Sequence, residues 1–288
     1  GQIDRAIPRR NRETLAGAGA AMSGRVLVFL PTYNESENIE PIIRSLLALG
    51  DEYSVLVVDD LSPDGTGDTA DRLAAETGRV EVIHRDGCRG RGFAGACGLR
   101  RAAERTDADY VIEMDADLSH PPDDAPRLVA EAKKGYDLVY GSRYAPGGGV
   151  QGWSIFRHIN SRVANALARL LLNLPMRDCT SGFRCFSREL LAELNWDEFI
   201  SPGPSIVEEV LFACCEAGAR MTEIPYIFVD RKRGRSKVSL RIILRWLGAI
   251  VRIRLRGADS LVVGKGEIGG ADGRNPSGKE AQRSREIG

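Results

Sequence analysis

The chain has 288 residues, 43% of them apolar and 28% charged, and its 40 Lys and Arg balance 40 Asp and Glu. These proportions exclude a disordered, collagenous or disulfide-stapled chain, and the length fits one α/β domain of roughly 200 to 250 residues or two smaller ones. The charge is unevenly placed: residues 231–256 hold ten basic residues and no acid, while the other 262 hold 30 basic and 40 acidic residues. No nucleic-acid partner is expected of so acidic a body. The six cysteines (Cys88, Cys97, Cys179, Cys185, Cys214, Cys215) include no CxxC pair. Buried reduced thiols are expected, not a zinc cluster or a disulfide framework. Residues 1–24 lack the apolar core of a signal sequence and read as a tail. No run of about 18 uncharged apolar residues is present, so no spanning helix is expected.

In chain order, residues 25–30 are a β-branched and apolar run that stops at Pro31, where a ladder donor is missing, and they predict a buried strand. A helix follows from Ser36, with Ile39, Ile42, Ile43, Leu46 and Leu47 at helical spacing. A second strand at 54–58 runs into Asp59 and Asp60, and 66–77 reads as a helix. A third strand at 80–84 precedes a glycine-rich turn and a helix at 92–105. The fourth strand, 110–114, delivers its carboxyl end to Asp115. Pro121 and Pro122 lead into a helix to about Gly135, then a strand at 137–140 and a glycine-rich loop at 146–152. Helices are predicted at 155–174 and 205–218, a strand near 224–230, and from Ala258 a polar tail expected to be disordered. This alternation predicts a mainly parallel sheet with helices on both faces, with ligand sites at the carboxyl ends of the strands.

Three acidic clusters fall at such strand ends: Glu35 in PTYNE, Asp59 and Asp60 in VVDDLSPDGT, and Asp115 and Asp117 in MDADLSHPP. Converging carboxylates repel one another unless a cation or hydrogen-bonding ligand lies between them, so their coincidence predicts a site built to be occupied. The Asp-x-Asp spacing places two hard oxygen ligands within reach of one divalent ion, which keeps its other positions for water and phosphate oxygens.

The ordered set PTYNESENI, VVDDLSPDGT, MDADLSHPP, GSRYAPGG, RDCTSGFRCF and FVDRKRGRSK, between Val26 and Lys237, resembles glycosyltransferase family 2. Within that family it is similar to the dolichol-phosphate mannose synthases and related polyprenyl-phosphate sugar transferases. The resemblance implies a GT-A nucleotide-sugar-binding fold. It implies that Pro31, Tyr33, Glu35 and Asp60 hold the base and ribose, and that Asp115 and Asp117 hold Mg²⁺ or Mn²⁺ on the diphosphate. Arg143, Arg157 and Ser161 are implied at the acceptor phosphate, with Arg231 and Lys237 assisting. Two residues depart from the family pattern: Arg91 stands in the turn GCRGRGFAG where many relatives carry Leu, and Ser119 stands where some carry Gln.

The implied chemistry suits these residue types. Cleaving a sugar from a nucleoside diphosphate leaves negative charge, which a divalent ion between two carboxylates stabilises without proton transfer. An acceptor phosphate with a second pKa of about 6 is already ionised at neutral pH, so no catalytic base is needed. Arginine forks at Arg143 and Arg157 would hold it. Glu209 would be a base only for a hydroxyl acceptor and otherwise reads as an anchoring acid. His120 reads as a packing or capping residue sooner than as a ligand. Gly90, Gly92 and Gly95 spell GxGxxG, but after the third strand, and residues 273–279 match GxxxxGK with Glu280 in place of Ser or Thr; neither predicts a nucleotide loop.

At 100° per residue, Arg241, Arg245, Arg252 and Arg256 fall within about 60° on a helix over 239–256, with apolar residues over most of the remainder. Two readings follow. One is a helix packed on the domain; the other, preferred for a lipid acceptor, lies in the headgroup plane with Trp246 at the boundary. The expected organisation is a tail at 1–24, a GT-A domain at 25–237, a basic interfacial helix at 238–257 and a tail at 258–288. The expected activity is inverting transfer of a hexose, mannose from GDP-mannose, to dolichyl or polyprenyl phosphate at the cytoplasmic face of a membrane, to which the protein attaches peripherally. A UDP-sugar donor, a hydroxyl acceptor and a catalytically silent nucleotide-sugar-binding scaffold are the alternatives.

Overall fold

The computed structural model describes residues 24–87, 89–230, 240–257 and 260–263. Cys88, Arg231, Lys237, the side chain of Arg241 and nearly all of both expected tails lie outside the described residues. Nine strands are present among them: β1 (Val26–Thr32), β2 (Tyr53–Asp59), β3 (Val80–His84), β4 (Tyr110–Glu113), β5 (Leu138–Ser142), β6 (Gly149–Gln151), β7 (Arg184–Ser187), β8 (Met221–Pro225) and β9 (Ile227–Val229). The helices are α1 (Ile39–Leu47), α2 (Thr66–Thr77), α3 (Arg91–Glu104), α4 (Ala125–Ala132), α5 (Ile155–Leu172), α6 (Arg188–Ala192), α7 (Ile206–Glu216) and α8 (Leu240–Arg256).

Seven strands form one sheet in the order β3-β2-β1-β4-β7-β5-β8, and β6 pairs with β9 in a small second sheet. All neighbours are parallel except β7, which is antiparallel to both β4 and β5. Alternation along the parallel strands divides the core into two layers. Leu27, Phe29, Leu56 and Val58 face a layer with residues of α3, α6 and α7, while Val26, Val28, Val55 and Val57 face one with residues of α1, α2 and α4. On the first side α3 lies so close to β1 that a Cβ at Gly98 would sit 2.1 Å from the Phe29 ring. Only glycine permits that approach. The strand expected near 224–230 divides: β8 ends at Pro225, which cannot donate to a ladder, and β9 crosses to pair with β6 in the loop expected to be irregular.

The amphipathic C-terminal helix packs on the domain, which corrects the expected place of Trp246. Ile250 and Ile253 of α8 are buried, and the Trp246 Nε1 donates to Glu208 Oε1 of α7 at 2.9 Å, so the indole faces inward. Arg256 pairs with Glu198, which anchors the end of the helix. Burial pushes Glu208 up to about 7, opposed by the Trp246 hydrogen bond. The folded state therefore holds this proton more tightly than the unfolded chain, whose carboxyl titrates near 4.5. Its contribution is fully present below about pH 4.5 and is lost as pH rises through about 7. E208Q keeps an acceptor for Trp246 without the charge. It is expected to exceed wild type in unfolding free energy by about 3 kcal/mol at pH 8, an advantage that fades towards pH 5. Urea unfolding at both pH values measures this, and a gain equal at both would contradict it.

Candidate active site

Strands β1, β2 and β4 end side by side, and the loops beyond them line a cavity of about 270 Å³. Pro31, Tyr33, Glu35, Asp60, Asp115 and Asp117 all line it, so the residues picked out for the nucleotide and the metal come together, joined by Arg91. A second hollow of about 310 Å³, lined by Arg100, Leu194, Trp196 and Val263 among others, carries none of the motif residues.

Each acid has a distinct local role. Asp59 is buried and caps its own turn, accepting from the Ser62 N–H and hydroxyl and from the Thr32 hydroxyl. Asp60 accepts the Gly90 N–H at 2.9 Å and pairs with Arg85, tying the β2 loop to the start of α3. Glu35 accepts from Asn38 Nδ2 at 2.8 Å, and its N–H donates to Thr66 Oγ1. Tyr33 is exposed, with the Arg89 guanidinium 5.3 Å from its ring centre.

Past β4, Leu118 adopts a left-handed backbone with φ 61°, a conformation that costs a residue with a branched side chain roughly 1–2 kcal/mol. The turn it makes lets the Ser119 N–H and hydroxyl both donate to Asp117 Oδ1, at 3.1 and 2.5 Å. His120 is buried; its Nδ1 accepts the Asp115 N–H at 3.0 Å while its ring stacks on Phe183. Burial lowers its pKa. It is a brace for the Asp-x-Asp turn. Two carboxylates on a turn braced in this way, one of them backed by the Ser119 hydroxyl, fit a hard divalent ion that completes its shell with water and phosphate oxygens.

A second cluster gathers Arg143, Arg157 and Ser161. Arg143 is nearly buried, and its fork is occupied: Nε and Nη2 donate to the Asp178 carboxylate at 2.7 and 2.6 Å, and Nη2 also to Thr180 Oγ1. Asp178 raises the Arg143 pKa against the opposing effect of burial. The bidentate face expected to meet a phosphate is thus spent on Asp178. Arg143 instead presents its charge among the rings of Tyr144, Trp153 and Phe228. Arg157 lies 4.2 Å from the Trp153 ring centre and pairs with Asp230 at 2.7 Å. Ser161 Oγ accepts from the Tyr144 hydroxyl at 2.7 Å. The two clusters are joined by rings, since His120 meets Phe228 and Phe228 meets Trp153.

Other candidates fall outside both clusters. Glu209 is buried, and its two oxygens accept the Ile200 and Ser201 N–H groups at 3.0 and 2.9 Å, the anchoring role. The loop it holds explains the GxGxxG spelling: a Cβ at Gly92 would sit 1.9 Å from the Ser201 carbonyl oxygen. His84 pairs with Asp71, and His158 lies against Trp153. The described cysteines are free thiols, and Cys179, Cys185 and Cys214 are fully buried with raised pKa values that keep them inert.

Sequence reasoning assigned no role to Asp178, Asp230, Trp153, Glu113 or Arg184. Asp178 and Arg184 lie in RDCTSGFRCF, where Arg184 stands within the otherwise apolar run FRCF and was the available signal. Arg184 and Glu113 are both fully buried and pair directly, with Arg184 also donating to the Val207 carbonyl at 3.1 Å.

A parallel α/β sheet with paired carboxylates at its strand ends is the frame of a GT-A nucleotide-sugar-binding domain, and the chain matches glycosyl transferase family 2 over residues 27–194. It belongs to that family and is a glycosyltransferase. It is 41% identical over 219 residues to undecaprenyl-phosphate mannosyltransferase of Micrococcus luteus, covering 76% of this chain and 89% of that protein. It is 39% identical over 216 residues to polyprenol monophosphomannose synthase of Mycolicibacterium smegmatis, covering 75% and 81%. Glucosyl-3-phosphoglycerate synthase from Mycobacterium tuberculosis, solved in complex with UDP, superposes with a TM-score of 0.57 at 23% identity, over 81% of this chain and 79% of that one. The same synthase was also solved with Mn²⁺, UDP-glucose and phosphoglyceric acid, at a TM-score of 0.57, 23% identity and coverage of 82% and 81%. Those likenesses carry the fold.

Proposed function

We propose that this glycosyltransferase moves mannose from GDP-mannose to a polyprenyl phosphate with inversion. The observation that carries the reading is the gathering of Arg143 and Arg157 on Trp153, with Ser161 beside them on Tyr144, joined by a row of rings to the Asp-x-Asp turn. The two mannosyl-transferring relatives supply the sugar and the acceptor class.

Asp115 and Asp117 would hold the divalent ion, whose contribution when bound is to neutralise charge on the departing diphosphate. Ser119 fixes the Asp117 carboxylate and His120 the Asp115 backbone N–H, so little reorganisation is left for the moment of reaction. Arg143, its fork held by Asp178, contributes positive charge, and Arg157, on the face of Trp153, holds the acceptor phosphate in line with the sugar. An ionised phosphate oxygen attacks directly, so no side chain has to take a proton. Glu209, bound to two backbone N–H groups, is not asked to act as a base. Single displacement from the far face gives inversion.

A peripheral place at a membrane surface accords with an exposed apolar row on α5, where Ile155, Phe156, Ile159, Val163 and Leu170 are all more than half uncovered. Leu244 and Leu255 of α8 add to the exposed apolar area, beside Arg245 and Arg252. Among the described residues no helix is long and apolar enough to cross a membrane. Failure to co-sediment with anionic vesicles at low salt would remove the membrane part of the proposal.

Arg157→Ala separates acceptor from donor. It is expected to weaken polyprenyl phosphate at least about tenfold, the worth of one charge-assisted contact, with GDP-mannose affinity nearly unchanged. Lipid kinetics and nucleotide calorimetry on the same preparation measure the two. Equal losses in both would move Arg157 to the diphosphate.

A further inference from the structure

The chain has three tryptophans, and the indole N–H groups of two are spent inside the fold. Trp196 Nε1 donates to the Leu191 carbonyl at 3.0 Å, and Trp246 Nε1 to Glu208 Oε1 at 2.9 Å. Trp153 Nε1 is covered from solvent and has no acceptor among the described residues. The Trp153 side chain as a whole is only part buried, and an indole so placed ordinarily keeps its N–H in water or on a partner. This one turns its polar edge inward and leaves it unmet, which costs stability and calls for an explanation. The backbone fixes the placement: Gly152 turns the chain from β6 into α5 with φ 88°, and a Cβ there would lie 3.1 Å from the Asp230 Cβ. Phe228 and His158 pack edge-on against the indole, with ring centres 5.4 and 5.6 Å away. Arg157 and Arg143 bring their guanidinium carbons to 4.2 and 5.4 Å from the ring centre, and their carboxylate partners are Asp230 and Asp178. Both of these acids are committed to arginine, and the indole donor is left for a ligand.

We propose that the Trp153 indole N–H holds the acceptor phosphate, donating to one of its oxygens beside Arg157, and so favours a lipid phosphate over a lipid alcohol. This rests on the reading of Arg143, Arg157 and Ser161 as the acceptor cluster. An indole N–H can donate but neither accept nor ionise, so what completes it must bring an acceptor atom. Beside two guanidiniums the strongest acceptor is an ionised phosphate oxygen, whose charge-assisted bond is about twice as strong as a neutral one. A polyprenol brings only a hydroxyl. The reaction has two sources of phosphate oxygen, the acceptor and the diphosphate of the donor, and the place of the indole decides between them. Trp153 stands between β6 and α5, against β9, and not among the residues lining the cavity beyond β1, β2 and β4. Because the N–H is covered, an oxygen reaches it only by displacing a neighbour of the indole, which a bound acceptor can do and an ion passing in solvent does not.

The test is a proton–nitrogen correlation spectrum of the full chain with its tryptophans labelled at the indole nitrogen, which gives three indole signals. W153F removes one and assigns it; W196F and W246F assign it by elimination should W153F fold poorly. Farnesyl phosphate, farnesol, and Mg²⁺ with GDP are added in separate titrations. The Trp153 proton is expected to move downfield with farnesyl phosphate, as a new bond to an anion requires, and to stay in place with farnesol or with Mg²⁺ and GDP. In kinetics W153F is expected to raise the KM for farnesyl phosphate about tenfold, with the KM for GDP-mannose within about twofold of wild type. A signal that moves with GDP puts the N–H on the diphosphate, one that moves equally with farnesol puts it on the prenyl chain, and one unmoved at saturating farnesyl phosphate makes Trp153 a packing residue. Each of these overturns the proposal. R157A separates its failure from failure of the reading beneath it. Loss of acceptor affinity in R157A, with the wild-type Trp153 signal unmoved, condemns the indole alone; an R157A protein that binds farnesyl phosphate as wild type does removes the acceptor cluster and the proposal together.

Discussion

Asp117→Ala is expected to lower turnover by about 10² to 10³, or 2.7 to 4 kcal/mol, while leaving the fold intact. Asp117 is a loop carboxylate that accepts from the Ser119 N–H and hydroxyl two residues on, at the rim of the strand-end cavity and outside both layers of the apolar core. On the proposed assignment, what is lost is one of two oxygen ligands at the point where charge develops on the departing diphosphate, and such a loss acts on the transition state more than on donor affinity. Single-turnover kinetics at saturating Mn²⁺, with a thermal melt to confirm folding, measure the effect. Near-normal turnover in the folded variant would show that the Asp-x-Asp pair does not hold the metal.

The largest effect on stability is expected at Glu113. This carboxylate lies fully buried in β4, one oxygen on Arg184 of the neighbouring antiparallel strand and the other on Arg91. Glu113→Leu leaves the Arg184 guanidinium buried without a counter-charge, and breaking a pair in this way commonly costs about 3–5 kcal/mol. For a domain of this size the melting temperature should fall by roughly 10 °C. Removing both charges is a different matter, because desolvation of the pair offsets much of its attraction. Glu113→Leu with Arg184→Met is expected to recover most of the loss. A double variant no more stable than E113L would mean that the cost comes from packing in β4 and not from the orphaned arginine.

The parallel half of the sheet was legible because β1, β2 and β4 are continuous apolar runs buried on both faces, ending at proline or acid. The cavity beyond β1, β2 and β4 was legible for the same reason, since strand ends fix where Glu35, Asp60, Asp115 and Asp117 must meet. The strand β7 was not. It is four residues long and begins with Arg184, and a charge in so short a run hides the burial that its partner Glu113 makes possible, 71 positions away. Trp246 was misplaced for a related reason. Helical periodicity gives the apolar arc of α8 but not which part of the arc meets the domain, and the deciding partner, Glu208, lies on a different helix. The residue types around the acceptor were readable, yet the use of the Arg143 fork was not. Arginine forks suit phosphate and carboxylate alike, and only the fold brings Asp178 to it.

The measurement that tests the central claim most directly is transfer of label to lipid. The protein is incubated with Mn²⁺ and a polyprenyl phosphate, and with radiolabelled GDP-mannose, UDP-glucose or UDP-GlcNAc in parallel, and the organic phase is counted. Label in the lipid fraction from GDP-mannose, dependent on the phosphate of the acceptor and on the metal, is the predicted result. Label from a UDP-sugar alone would contradict the assigned donor, and label on a free polyprenol would contradict the account of Arg143 and Arg157 as the phosphate's holders.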